Sequence, residues 1–331
     1  CPHFEDSRWP LRAAVSQPSY GLLCDFRTGV LIMRSKERTD IYTRVTNEIV
    51  AAIEAGAGSW TMPWHHDGSA TSRPVNAGTG KAYRGSNILS LWIAAQAAGY
   101  SSGRWASYRQ WQALGAQVRK GEQATTIVFW KVNDRGEDAD DRDSEQEGRG
   151  RARMFARGYS VFNEAQVEGY APPTIDLLSD DARMRNADIF WGNLGIECRH
   201  GGNEAYYIPS EDRVQMPPFA QFREPAAYYG TLFHEGLHAT GAASRCDRDL
   251  SGRFGSDRYA AEEAIADLGA ALVMADLGIA HHPRPDHAAY IASWLRVLKA
   301  DARAIFTLAS KAQAAADWMH MQQPEQLSVA A

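Results

Sequence analysis

The sequence predicts an α+β protein with two domains, an N-terminal α+β domain and a C-terminal, mostly helical domain with a small sheet. Three observations lead to this prediction. The chain has 331 residues, of which 44% are hydrophobic, so two domains with cores of their own can form. Strand and helix patterns alternate in the first half, whereas helical periodicity dominates the second. The net charge also changes sign between the halves.

The first regular element is an amphipathic helix that we expect to follow Met33. Its apolar positions recur every four residues, at Ile41, Val45, Ile49 and Ile53. Gly56 then marks the end of the helix. Residues 1–32 lack the basic start and the apolar core of a signal peptide. We therefore interpret residues 1–32 as an extension upstream of a native start at Met33.

The N-terminal domain is basic and rich in aromatic residues. Residues 34–131 contain 12 Lys and Arg against 6 Asp and Glu, a charge of +6, and six of the ten tryptophans. Single-stranded nucleic acid requires this combination, because cations follow its phosphates while flat rings stack on its unpaired bases. The candidate DNA-binding residues are Trp60, Trp64, Lys81, Tyr83, Arg84, Arg119 and Lys120. A tryptophan is also an ordinary core residue, so this alternative stays open for each one.

Two strands separated by an acidic segment are expected next. Residues 125–132, TTIVFWKV, are β-branched and aromatic, and a second strand follows Arg153. Between them, residues 133–151 hold eight acidic and four basic residues and almost nothing to bury, which predicts a disordered insertion in a hairpin. The first domain then comprises residues 33–170, and residues 171–180, with the string APPTID, form a linker.

The C-terminal domain, residues 181–325, is acidic. From residue 171 to the end of the chain there are 14 Lys and Arg against 21 Asp and Glu, a charge of −7, so this half repels phosphate. A helix is expected at residues 180–194, followed by two short strands. Residues 205–209 could bind a peptide as an added strand. Beyond Pro285 the chain is predicted to continue as one helix through Met319.

The segment TLFHEGLHATG contains the spacing His-Glu-x-x-His. Residues four apart on a helix project in nearly the same direction, so His234 and His238 can bind one metal ion while Glu235 leans over its open side. A catalytic zinc site has three protein ligands and keeps one position for water, whose proton a neighbouring carboxylate can take. We therefore expect Zn²⁺, or another divalent metal, with Glu235 as the catalytic general base.

The third ligand must come from elsewhere in the chain. Ser244 stands where an extended motif would place a third histidine, which excludes that arrangement. Residues 259–273, YAAEEAIADLGAALV, predict a helix whose two adjacent glutamates point about 100° apart, so at most one of them faces the metal. We choose Glu263, because Asp267 then lies on the same face and can accept the N–H of a ligand histidine. The alternatives that stay open are Glu262, His281, His282 and His287.

Two further features concern the compartment. No apolar run approaches the roughly 18 to 20 residues of a membrane span, so we expect no membrane partner. The four cysteines show neither metal-type spacing nor a disulfide framework. Both features are typical of a protein of the reducing bacterial cytoplasm.

Ordered motifs in both halves resemble those of ArdC-type antirestriction proteins, which plasmids and other mobile elements carry. These motifs are DIYTRVTNEIV, RPVNAGTGKAYRGSN, WASYRQWQALGAQVRKGE, HGGNEAYYIPSEDRVQMP, YYGTLFHEGLHATG and YAAEEAIADLGA. The resemblance covers residues 33–273. It implies a domain that binds single-stranded DNA, followed by a zincin-like metallopeptidase domain of the gluzincin type. By position it also implies His234, His238 and Glu263 as metal ligands and Glu235 as the base.

The chain departs from the family pattern at three positions. Gly236 replaces a bulkier apolar residue, which we expect to loosen its helix by up to about 1 kcal/mol. Cys246 replaces a leucine, and Asp267 replaces a glutamate.

Two functional classes follow. In the first, the protein binds single-stranded DNA, protects incoming DNA from restriction and cleaves a host protein or peptide at its zinc site. In the second, it is a non-catalytic DNA-binding protein whose metal is structural. Structural sites usually fill all four positions with protein ligands, which favours the first class here. The family is also similar to the N-terminal part of plasmid primases, but no primase motif is visible, so we do not expect a primase.

Overall fold

The structure, a computed structural model, describes residues 40–57, 73–133, 153–173, 178–252, 256–281 and 288–324. These residues belong to one compact unit, Thr39–Ala331. Several sequence-based predictions fall outside the described residues and stay predictions. They concern residues 1–32, nearly all of the acidic insertion, Trp60, Trp64, His282 and His287.

The N-terminal part is a mixed arrangement of helices and small sheets. Its described elements are α1 (Ile41–Ala57), β1 (Val75–Asn76), α2 (Ser86–Ala98), β2 (Arg104–Ala106), α3 (Tyr108–Ala113), β3 (Gln117–Val118), β4 (Thr125–Asn133), β5 (Arg153–Asn163) and β6 (Val167–Glu168). One sheet has the order β1-β2-β5-β4, and β3 pairs with β6 in a second sheet. β4 and β5 are antiparallel, from Thr125 opposite Val161 to Asn133 opposite Arg153. The predicted helix and both predicted strands are confirmed by these elements.

Apolar faces of α1 and α2 form the core of this part. α1 buries Val45, Ile49 and Ile53, whose spacing of four residues places them on one side of the helix. Three tryptophans of the basic segment, Trp92, Trp105 and Trp111, are also buried. These three therefore belong to the core, which was the alternative that the sequence left open.

Asn87 of α2 closes the open edge of this sheet. β4 is the last strand in the sheet order, so part of its backbone lacks a neighbouring strand. The Asn87 side chain donates a hydrogen bond of 2.9 Å to the carbonyl of Val128 and accepts one of 2.7 Å from its N–H. The amide thus satisfies both backbone groups of Val128 in the interior.

The C-terminal part is mostly helical with one small sheet. Its described elements are α4 (Asp180–Gly192), β7 (Glu197–His200), β8 (Tyr206–Ile208), β9 (Arg213–Met216), α5 (Pro225–Ala239), α6 (Asp257–Asp276), α7 (Ala288–Ala300) and α8 (Ala304–Met321). The sheet order is β7-β9-β8, with β9 parallel to β7 and antiparallel to β8. The predicted helix at residues 180–194 is confirmed, and the sheet has three strands where the sequence indicated two.

The prediction of one helix beyond Pro285 is wrong. The structure contains two helices there, α7 and α8, which are separated at residues 301–303. The Asp301 carboxylate accepts a hydrogen bond of 2.8 Å from the backbone N–H of Arg303. Such a local bond competes with the helical pattern, because it satisfies a backbone donor without a helical turn.

α6 is the central helix of this part and packs closely against α5. At Gly269 of α6, an added Cβ atom would lie 2.5 Å from Cδ1 of Leu237 in α5. Gly236 is equally constrained, since its Cβ would lie 2.6 Å from Cζ3 of Trp191. The missing side chain at Gly236 therefore makes room for the Trp191 ring, and the expected loosening of the helix stays a prediction.

Polar contacts join the N-terminal part to α6 and to the last two helices. The Thr46 hydroxyl donates a hydrogen bond of 2.6 Å to the carbonyl of Ala302. Arg73 forms a largely buried ion pair of 2.8 Å with Asp276 at the end of α6. No helix among the described residues combines the length and the hydrophobicity that crossing a membrane requires. Cys198 and Cys246 are free thiols.

Candidate metal centre and nucleic-acid surface

Two helices bring the predicted metal ligands together. α5 carries His234, Glu235 and His238, and α6 carries Glu263. His234 and Glu263 are nearly inaccessible, with exposed fractions of 3% and 5%, and Glu235 is 4% exposed. The site therefore lies inside the helical part, where α5 and α6 pack against each other.

The three predicted ligands lie close enough together to share one metal ion. Nε2 of His234 lies 3.2 Å from Nε2 of His238. Oε2 of Glu263 lies 3.4 Å from the His234 nitrogen, and Oε1 of Glu263 lies 3.4 Å from the His238 nitrogen. The ligand atoms of the three residues all lie within 4.8 Å of one another. The separation of the two nitrogens is close to the value of about 3.3–3.4 Å expected for two ligands held at about 2.0–2.1 Å by a tetrahedral zinc ion. Two imidazoles and one carboxylate are also a donor set typical of zinc and acceptable to other divalent metals.

Burial and hydrogen bonds shift the pKa values of Glu263 and His238 in opposite directions. Burial would raise the pKa of Glu263, but hydrogen bonds with His234 and His238 outweigh it and hold this pKa well below its usual range. Burial would lower the pKa of His238, but hydrogen bonds with Glu262 and Glu263 outweigh it and raise the pKa to about 10. In the absence of a metal, Glu263 is therefore anionic and His238 carries a proton that a metal must displace.

Glu262, the alternative third ligand, points to the other side of the His238 ring. One of its carboxylate oxygens lies 3.3 Å from Nδ1 of His238. The same carboxylate forms a two-point ion pair with Arg248, at 2.6 and 3.0 Å. Arg248 was not assigned a role from the sequence, because no local pattern links it to a glutamate fourteen residues away. Glu262 and Arg248 hold the His238 ring in place, and Glu263 is the glutamate that faces the ligand nitrogens.

Two other residues that the sequence suggested for this site, Asp267 and His281, are buried near the proposed ligands or in the same domain. Asp267 is buried one helical turn after Glu263. Nδ1 of His238 contacts Glu262, and Nδ1 of His234 has no hydrogen-bond partner among the residues that the structure describes. Asp267 as the acceptor for a ligand histidine stays a prediction. His281 is buried too, but the cluster of ligand atoms in the described part comprises His234, His238 and Glu263 without it.

β8 is the strand that the sequence proposed for peptide binding. It lies at one edge of the three-stranded sheet and pairs with β9 on one side only. A single side of β8 is thus free of strand pairing in the described residues, which is the arrangement that an added peptide strand needs.

Five of the seven predicted DNA-binding residues lie in two loops of the N-terminal part. In the loop that contains Lys81, this lysine is exposed, whereas the Tyr83 ring is buried and its hydroxyl lies 3.0 Å from Nδ2 of Asn76. Arg84 is 61% exposed and forms a two-point ion pair with Asp317 of α8. Lys81 can therefore meet a phosphate directly, Arg84 would have to share its charge, and Tyr83 supports the loop from inside.

The second loop follows β3. Arg119 forms hydrogen bonds with Glu122 and with the carbonyl of Ala165. Lys120 is exposed and makes no ion pair with any residue of the described part. Trp60 and Trp64, the aromatic candidates, lie outside the described residues.

Comparisons with known families divide the chain in two. Residues 39–162 match the family described as the N-terminal domain of anti-restriction factor ArdC, and residues 185–311 match a family of zincin-like metallopeptidases. The two-domain architecture predicted from the sequence is therefore confirmed.

Relatives extend over nearly the whole chain. The uncharacterized protein y4eC of Sinorhizobium fredii is 59% identical over 288 residues, which cover 87% of this chain and 94% of y4eC. DNA primase TraC of Escherichia coli is 34% identical over 292 residues, which cover 83% of this chain but only 19% of TraC.

The solved structure of the antirestriction protein ArdC from the R388 plasmid is 38% identical to this chain. In its metal-free form it is similar with a TM-score of 0.69, over 86% of this chain and 97% of that chain. Its Mn(II)-bound form is similar with a TM-score of 0.66, over 86% and 98% of the two chains.

Proposed function

The chain belongs to the family of ArdC-type antirestriction proteins, and on this premise we propose that it binds single-stranded DNA and carries a metallopeptidase-type site for a divalent metal. The N-terminal domain would bind the DNA and the C-terminal domain the metal. As a protein of a mobile element, it would act in the bacterial cytoplasm and protect incoming DNA from restriction. Solvent-exposed Lys81 and Lys120 support the first part, because phosphate contacts dominate the affinity for nucleic acids.

One observation carries the second part. Nε2 of His234 lies 3.2 Å from Nε2 of His238, and each of these nitrogens lies 3.4 Å from one oxygen of the Glu263 carboxylate, so the three side chains can bind a single ion. We assign these three residues as the ligands and Zn²⁺ as the metal. Another divalent metal is the alternative, since the similar ArdC protein of R388 was crystallised with Mn(II).

The chemistry that we propose is hydrolysis of a peptide bond. When bound, the metal would polarise a carbonyl group and acidify a water molecule. Glu235 is adjacent to His234 on α5, so its carboxylate can accept the proton of the attacking water and deliver it to the leaving nitrogen. The free side of β8 would hold the peptide through backbone hydrogen bonds.

A second candidate function is a structural metal in a protein that only binds DNA. The observation in its favour is burial, since Glu235 is 4% exposed and His234 is 3% exposed. In that case the metal would hold α5 to α6 and would contribute to folding stability without turnover.

Metal analysis tests the proposal, with single-stranded DNA binding measured on the same preparations. The parent protein, Glu263→Ala and the control Glu204→Ala, which removes an exposed glutamate of the same domain, are compared. We expect one metal per chain in the parent and the control and none in Glu263→Ala, with unchanged DNA affinity in all three. A parent protein that takes up no Zn²⁺ or Mn²⁺ would refute the metal site. A parent protein that does not bind single-stranded DNA would refute the proposed DNA-binding function.

A further inference from the structure

We propose that a cavity beside α3 receives one unpaired nucleobase of the bound DNA strand. The cavity has a volume of about 500 Å³ and lies between Tyr108 of α3, Phe162 of β5 and the paired strands β3 and β6. Ligand sites commonly enclose about 300 to 1,000 Å³, so a base with part of its sugar fits. The inference rests on the proposed binding of single-stranded DNA and gives that binding a position on the domain.

Tyr108 provides the stacking surface of the cavity, and Phe162 borders it. Tyr108 is 41% exposed, and its hydroxyl accepts a hydrogen bond of 2.8 Å from Nε2 of Gln117, which fixes the ring. The ring of Phe162 lies 6.5 Å from that of Tyr108, at an angle of 69° between the planes. An exposed ring with a fixed orientation is the feature on which unpaired bases stack in proteins that bind single strands.

Charges around the cavity favour a base inside it and a phosphate at its rim. Lys120 lines the cavity and is exposed, so it can pair with the backbone of the strand. Glu168 of β6 also lines the cavity, and its carboxylate repels phosphate. The same carboxylate can accept a hydrogen bond from the exocyclic amino group of cytosine, adenine or guanine. Thymine offers only its N3–H, which lies between two carbonyl oxygens that the carboxylate repels. We therefore expect the cavity to prefer bases with an amino group to thymine.

Hydrogen bonds of neighbouring residues fix the position of α3 and of Phe162, which line the cavity. The Ser107 side chain caps α3 and forms a reciprocal pair of hydrogen bonds with Gln110. Nε1 of the buried Trp111 donates a hydrogen bond of 3.0 Å to the carbonyl of Phe162. Since little has to be ordered when a base enters, most of the stacking energy remains available for affinity.

The test is a titration of fluorescent oligodeoxycytidine with the full chain, followed by fluorescence anisotropy. Tyr108→Ala is compared with Phe219→Ala, which removes an aromatic side chain of similar exposure, 49%, from the other domain. We expect Tyr108→Ala to weaken binding about ten-fold, whereas Phe219→Ala leaves it unchanged. Tyr108→Phe keeps the ring and should retain most of the affinity.

Each outcome decides between the two proposals. Equal affinity of Tyr108→Ala and the parent overturns the cavity as a base site and leaves single-stranded DNA binding intact. No binding by the parent at low salt overturns both. A second readout is base preference: Glu168→Gln should reduce the preference of the parent for oligodeoxycytidine over oligothymidine. A parent that has no such preference contradicts the role of Glu168.

Discussion

Glu262 and Glu263 are adjacent in α6, yet they contact opposite sides of the same imidazole. Oε1 of Glu262 lies 3.3 Å from Nδ1 of His238, whereas Oε1 of Glu263 lies 3.4 Å from Nε2 of that ring. The first contact orients the ring, and the second places a carboxylate beside the nitrogen that would bind the metal. Two neighbouring residues of α6 thus supply a proposed metal ligand, Glu263, and a residue, Glu262, that orients another proposed ligand.

Loss of the orienting contact should weaken metal binding. We expect Glu262→Ala to reduce the affinity for Zn²⁺ about 10- to 100-fold, because such supporting groups typically contribute this much. Competition with a chromogenic chelator measures the affinity, and Glu204→Ala serves as the control. An unchanged affinity in Glu262→Ala would show that His238 needs no support from this residue.

Glu235→Gln should separate binding from catalysis. The amide keeps the shape of the side chain but cannot accept the proton, so we expect any metal-dependent hydrolysis of peptides to fall at least about 100-fold. Metal content and DNA affinity should stay at parental levels. Equal hydrolysis by the variant and the parent, measured with a library of fluorogenic peptides, would rule out Glu235 as the general base.

Metal uptake should release a proton. The pKa of His238 is raised to about 10 without a metal, so at neutral pH its ring is protonated, whereas a ligand histidine must be neutral. The affinity should therefore increase by up to about ten-fold per pH unit as the pH rises towards 10, with no contribution from Glu263, which is already anionic. Calorimetry in buffers of different ionisation enthalpy counts the released protons, and a count of zero contradicts this prediction.

Gly236→Ala should destabilise the protein although alanine is the better helix former. The new Cβ would lie 2.6 Å from the Trp191 ring and 3.1 Å from Cε of Met319. Such overpacking typically costs about 1–3 kcal/mol of folding free energy. The gain in helix propensity from Gly to Ala is at most about 1 kcal/mol, so we expect a net loss. Gly192→Ala is the control, since no atom lies within 4 Å of its added Cβ. Thermal unfolding should give a lower midpoint for Gly236→Ala alone, and equal midpoints would contradict the close packing.

Individual lysines should contribute to the salt dependence of DNA affinity. For a single strand, each neutralised phosphate contributes about 0.7 to the slope of log affinity against log salt, so Lys81→Ala should reduce the slope by about 0.7. Lys311→Ala, at an exposed position of the C-terminal domain, should leave the slope unchanged. Arg84→Ala should have a smaller effect, because Asp317 already neutralises part of the Arg84 charge. A slope that does not differ between parent and Lys81→Ala would exclude Lys81 from the DNA interface.

Local patterns in the sequence were sufficient for much of this description. The four-residue spacing of His234 and His238 depends only on helix geometry, and the buried stripe of α1 follows from the same period. The sequence also indicated that the third ligand comes from the helix at residues 259–273. These features need no knowledge of the rest of the chain, because they arise within a few turns of one helix.

Tertiary structure decided what no local pattern contains. Whether Glu262 or Glu263 faces the histidines depends on how α6 is rotated about its own axis where it packs against α5. The Leu237 side chain of α5 packs directly against Gly269 of α6, where a larger residue would not fit. Arg248 reaches Glu262 across fourteen positions, and Trp191 occupies the space that Gly236 leaves. Arg84 acquires a partner, Asp317, from the other end of the chain. The sequence by itself therefore determined the chemical groups of the site and their helices, whereas side-chain packing between distant segments determined which group faces which.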